Sequence, residues 1–339
     1  MVSNSGKRIE WIDFGKGITI LFVMLAHVIG GVFKTDGFGN YDSISKISMA
    51  IIFTFIMPVF FALSGFLYQS TDDFQVYIKN IVKKAVNLFG PYIFFSIIYV
   101  ALQHFGNSVH DLYPWKDLIF IFEKPIGYLW FLYVLFFIFV FVGILDLLKI
   151  NMWWQLIIYF LSFIVSQTVN MPYFLGGALT WTICFYSGYV LKNIFFDKWR
   201  HKRIIFFVIA ILLITGCMYQ YLVSVNWYQT NAMSLNNFLT KLLSIPIAFY
   251  LFTHIKQTAF FQYFRRCGKY SLIIYLVHAP TASVIRVIML KVGVSNYFIL
   301  ILIVSLITWY ISLFVCWLSN KYIWINVLFS PYKYIKGTK

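Results

Sequence analysis

Residues 11–31 read "WIDFGKGITILFVMLAHVIGG" (Trp11–Gly31). The run is apolar and long enough to cross a bilayer, yet it carries Asp13, Lys16 and His27. Beyond it the chain continues in the same manner. Of 339 residues, 61% are hydrophobic and 11% are charged. A soluble domain averages roughly 25% charged residues. No soluble fold of this size hides so much apolar surface, so the chain reads as an all-α polytopic membrane protein.

Ten apolar runs of spanning length follow one another: Ile12–Phe33, Ile47–Tyr68, Ala85–Phe105, Tyr128–Leu148, Met152–Val169, Tyr173–Leu191, Ile204–Val223, Phe238–Thr253, Ser271–Leu290 and Tyr297–Leu318. They predict about ten transmembrane helices in a single integral membrane domain covering residues 1–339. Phe238–Thr253 is the weakest of them, being short and holding Lys241 and Pro246. Trp11 onward reads as a retained first helix, because no small-residue cleavage site precedes mature sequence. Placing the N-terminus inside puts 20 of the 27 lysines and arginines on the cytoplasmic side. That asymmetry predicts an N-in/C-in topology.

The net charge of +16 is explained by those loops and not by nucleic acid, for which no partner is expected. Cys184, Cys217, Cys267 and Cys316 are scattered, with no metal-ligand or disulfide spacing, and no metal is expected.

The chemistry begins on the first helix. Lys16 and His27 are eleven residues apart, about 1100° of helical rotation, so they share a face ~16 Å apart along the axis. Asp13, three residues before Lys16, joins that face. Ionisable groups inside a span are costly unless they face protein or water, which makes this stripe a functional candidate. The bland alternatives are a boundary ion pair of Asp13 with Lys16 and a packing histidine at His27. A second deep histidine, His278, lies in "GKYSLIIYLVHAP" (Gly268–Pro280), ahead of a predicted kink at Pro280. Arg286 follows on the same run. Two deep histidines and an arginine predict one shared polar cavity. Ser64 in "IMPVFFALSGFLY" and Trp130 in "GYLWFLYVLF" are further lining candidates.

These pieces, in this order, resemble the acyltransferase-3 family of bacterial integral membrane acyltransferases. The match rests on "WIDFGKGITILFVMLAHV", with its basic residue and histidine at Lys16 and His27, then "PVFFALSGFLY" and the basic stretch "YIKNIVKKAVNLFGPY", read as a cytoplasmic loop. "GYLWFLYVLF" and "GKYSLIIYLVHAP" complete it. The resemblance runs from about Arg8 to the last helix. It implies a multi-pass protein of the bacterial plasma membrane. The implied activity is transfer of an acyl group, usually acetyl from acetyl-coenzyme A, to a hydroxyl of a cell-surface or exported polysaccharide or lipid-linked glycan. Closest are the single-domain members that modify capsule or exopolysaccharide. In this reading His27 is the general base or a transient acyl carrier, with Lys16 and Asp13 completing the catalytic set. Lys16, Lys79, Lys83 and Lys84 meet the coenzyme A phosphates, and His278, Arg286, Trp130 and Ser64 line the acceptor side. The chain departs from the pattern in one place: many relatives carry arginines where Lys79, Lys83 and Lys84 stand, and lysine cannot make the two-pronged phosphate contact. A glycan-precursor transporter or flippase doing no chemistry is the principal rival, and a bis-histidine haem protein a further one.

Overall fold

The computed structural model describes residues 8–106, 112–195 and 202–335. Thirteen helices are found among them: α1 (Glu10–Phe33), α2 (Asp42–Phe66), α3 (Phe74–Gly106), α4 (Trp130–Leu147), α5 (Met152–Thr168), α6 (Tyr173–Val190), α7 (Arg203–Val223), α8 (Phe238–His254), α9 (Ala259–Lys269), α10 (Ser271–Lys291), α11 (Tyr297–Lys321), α12 (Ile323–Phe329) and α13 (Tyr332–Ile335). There is no strand among the described residues. Eight helices are long and apolar enough to cross a membrane, while α5 and α8 are apolar but shorter. His110, Asp111 and His201 lie outside the described residues.

All-helical spanning follows from the solvent. Hydrocarbon offers no partner to backbone N–H or C=O, so each segment must satisfy its own. The bundle is organised around α1, which packs against α2, α8, α9, α10 and α11. The end holding Glu10 is called basal here, and the end holding Phe33 apical. α7 is the opposite case from α1: only 6% of its most apolar window is buried, so its side chains face outward as a lipid-facing helix would.

Small residues set the closest approaches, as expected where van der Waals contact replaces the hydrophobic effect between helices. A Cβ on Gly17 of α1 would overlap the Phe264 carbonyl of α9, and one on Gly268 would overlap the Asp13 carbonyl. Gly65 of α2 and Gly188 of α6 are apposed in the same way to Phe185 and Ala62. Phe14 stacks on Phe261, ring centroids 4.8 Å apart, and Arg265 pairs with Glu10. The eleven-residue α9 is thus fastened along the basal half of α1.

One local reading changes. The "YIKNIVKKAVNLFGPY" stretch is not a loop: α3 is continuous from Phe74 and carries it. Charge asymmetry reports which side a segment faces, and between Phe74 and Phe89 no Gly or Pro interrupts a helix. Lys79 and Lys83, four apart, point outward and are exposed, whereas Lys84 turns inward and is half-buried. Pro280, where a kink is expected, lies inside α10, which runs through it. Pro280 has no N–H for the Leu276 carbonyl four residues back, and the Tyr128 hydroxyl donates to that carbonyl instead, at 2.6 Å. Lys241 is completely buried without ending α8, because its ammonium donates to the carbonyls of Phe53 (2.9 Å) and Thr230 (2.7 Å).

Candidate active site

His27 lies in the apical half of α1, and His278 faces it from α10. Their rings are 5.0 Å apart, centroid to centroid. α1 brings His27 to this point because Asp13–Gly17 locks against α9 while Gly30 and Gly31 let the apical turns approach α2 and α10. Tyr128, at the entry to α4, closes the group: its ring is 5.5 Å from His278 and 6.2 Å from His27. The tyrosine is held twice, by its hydroxyl donating to Leu276 and by its carbonyl accepting from the Tyr275 hydroxyl. Tyr128→Phe frees the Leu276 carbonyl inside the bundle. The expected result is a loss of about 1 kcal/mol of stability, read as a lowered unfolding midpoint in detergent, together with reduced turnover.

The two histidines differ. His278 is fully buried, and its Nδ1 lies 3.1 Å from the Ile274 carbonyl. A carbonyl only accepts, so Nδ1 carries the proton and Nε2 keeps a lone pair. That Nε2 is buried with no hydrogen-bond partner among the described residues. His27 is half-buried and makes no ring hydrogen bond among the described residues, leaving its nitrogens to a ligand and to its neighbour.

Two cavities meet at His27. One, of about 560 Å³, extends between α2, α4 and α6 and includes Val23, Trp181 and Tyr275. The other, of about 590 Å³, opens at the apical end and includes Lys34, Gln103, Tyr113 and Arg286. His27, Phe53, Tyr128, Trp130 and Asn231 line both. Among the described residues no Asp or Glu lines either one. Arg286 is 8% exposed and has no ion-pair partner among the described residues.

A third, smaller cavity of about 180 Å³ lies at the basal end, with Ser64, Tyr68, Asn80 and Lys84 in its wall. Lys84 sits over the Phe139 ring at 4.0 Å and within electrostatic reach of Lys16. Asp13 does not hold Lys16 in an ion pair; its Oδ2 is 3.9 Å from Arg8 Nε.

The sequence-predicted residues therefore fall into two groups. His27, His278, Trp130 and Arg286 converge apically. Lys16, Lys84 and Ser64 lie basally, and Ser64 is with Lys84 rather than with Trp130. The two histidines and Arg286 lie on the apical side, and the basal cavity shares no lining residue with the two apical ones. Phe131 packs between them against Phe60 and Phe61, at 5.5 and 4.8 Å. Tyr128 and Asn231 are site residues that no charge or periodicity marks. Among the described residues no His, Cys, Asp or Glu cluster could hold a metal ion.

This geometry offers a histidine with free nitrogens, an oriented neighbour and an aromatic-lined space around it, which is the equipment of proton transfer at a bound hydroxyl. No curated protein and no solved structure matches the chain. Residues 9–319 match the acyltransferase domain of one family. The chain, a multi-pass membrane protein built around paired histidines, belongs to the acyltransferase-3 family and is a membrane acyltransferase.

Proposed function

We propose that the protein transfers an acetyl or similar short acyl group from acyl-coenzyme A to a hydroxyl of a cell-surface or exported glycan, with His27 as general base. The observation that carries this reading is the position of His27: at the seam of two cavities, free of hydrogen bonds among the described residues, 5.0 Å from His278. His27 takes the acceptor hydroxyl proton as that oxygen attacks the thioester carbonyl. The carbon–sulfur bond then breaks, and the leaving thiolate recovers the proton from the imidazolium. The lone pair on Nε2 of His278, whose ring lies 5.0 Å away, would stabilise that imidazolium. Trp130 and Asn231 line the same seam, and their N–H groups would serve as donors to the developing oxyanion.

Lys84 and Lys16 suit the donor phosphates. Coenzyme A carries its thioester at the end of a long pantetheine arm, so phosphates at the basal lysines are compatible with a reacting carbon ~16 Å away at His27. The arm would pass the Phe60–Phe61–Phe131 cluster. Lys84→Gln should raise the KM for acyl-coenzyme A roughly tenfold with kcat little changed, as expected for loss of one charge-assisted contact. Lys79→Gln, at an exposed position, should leave both constants near wild type. Steady-state kinetics on the purified protein reads the split.

The reading is tested by NMR of the surface glycans from a strain lacking the protein and from its complemented counterpart. Loss of an O-acyl signal, restored on complementation, supports it. Identical spectra would sink it and favour a transporter.

A further inference from the structure

The apical cavity carries a feature that hydroxyl chemistry alone does not require. Arg286 is nine-tenths buried, lines the cavity, and has no carboxylate partner among the described residues. A second cation, Lys34, lines the same cavity, and among the described residues no acidic one does. An unpaired guanidinium in so enclosed a place is costly unless something else balances its charge.

The fold makes room for that group. A Cβ on Gly31 would overlap the Arg286 guanidinium, so in this position the arginine lies directly across α1 over that glycine. The negative end of the α1 dipole lies nearby, but three of its last carbonyls are already used: Gly30 accepts from the Lys34 N–H, Gly31 from the Thr35 hydroxyl and Val32 from the Thr35 N–H. A dipole end balances only a fraction of a full charge. Gly31 is four residues after His27, one turn along the same face and ~6 Å away. A group bound to Arg286 would therefore sit within about one sugar unit of a hydroxyl bound at His27. Tyr99, Tyr113, Trp130 and Tyr228 supply the flat apolar surfaces that sugar rings stack on.

We propose that the glycan acceptor is anionic, and that Arg286 binds its carboxylate or phosphate in the apical cavity beside His27. This rests on the acyl-transfer reading above and narrows its substrate to acidic sugars or sugar phosphates. The guanidinium fork matches both groups in a two-pronged contact.

The test is a binding titration on the purified protein without donor, following the unfolding midpoint against glucose, glucuronate and glucose 1-phosphate at fixed low ionic strength. Wild type should bind at least one anionic sugar about tenfold or more tighter than glucose. Preference for glucuronate assigns a carboxylate, and preference for glucose 1-phosphate a phosphate. In Arg286→Gln the ratio should fall to about one. Arg286→Lys, which keeps the charge and so the fold if Gln does not, should retain only part of it. Equal binding of the three sugars by wild type, or an anion preference that survives in either variant undiminished, would overturn the proposal. Because no transfer is measured, a protein that fails to move an acyl group can still show anion binding, and the two readings fail separately.

Discussion

Replacing His27 by alanine is expected to lower acyl transfer by about 10²–10⁴-fold, the range contributed by a positioned general base. The fold should survive, because the His27 ring makes no hydrogen bond among the described residues and borders cavities rather than a filled core. His27→Gln should be nearly as inactive: its amide restores polarity and size but cannot take a proton. His278→Gln should fall less far, since His278 acts through His27. A transporter would respond differently, because Gln at position 27 would preserve a polar lining. Complementation with each variant at matched expression, read by the O-acyl signals of the surface glycan, separates these outcomes.

The second large effect is structural. Gly268→Val should prevent α9 from docking on α1. The Cβ at that position meets the Asp13 carbonyl, which is backbone and cannot swing aside. Gly17 stands against the Phe264 carbonyl with the same constraint. Over-packing of a fitted contact costs about 1–3 kcal/mol, and more where neither side can yield, so a loss of about 3 kcal/mol or more is expected. The Glu10–Arg265 pair and the Phe14–Phe261 stack would separate with it. Size-exclusion chromatography of the detergent-extracted protein should show loss of the monodisperse species. Gly39→Ala, whose Cβ would meet nothing within 4 Å, serves as the control and should elute as wild type.

These two positions also show what the sequence discloses. His27 and His278 stand out because an ionisable group deep in an apolar run is rare, and the reason for its rarity is local: hydrocarbon penalises it wherever the chain goes next. That the two rings lie 5.0 Å apart depends on how α1 and α10 pack, 251 residues apart in sequence, and no periodicity encodes that. Lys241 shows the converse. Within its own segment it reads as a flaw in a short span, and its explanation is a pair of carbonyls on other parts of the chain. Lys79, Lys83 and Lys84 look alike as a basic stretch, and only the continuation of α3 through them separates the inward Lys84 from the other two. α9 escapes a search for spanning runs altogether, being eleven residues long and strongly basic at its end. Tyr128 and Asn231 are ordinary residues whose role is set by where their backbones are carried.

If His27, in the cavity it shares with Arg286, is the base of this membrane acyltransferase, transfer must fail without it. The most direct measurement is transfer from isotopically labelled acetyl-coenzyme A to a glycan acceptor by purified protein, with donor binding determined in parallel. Labelled O-acyl product is expected from wild type and almost none from His27→Ala, with donor affinity unchanged between them. Equal transfer by the two proteins would contradict that role for His27.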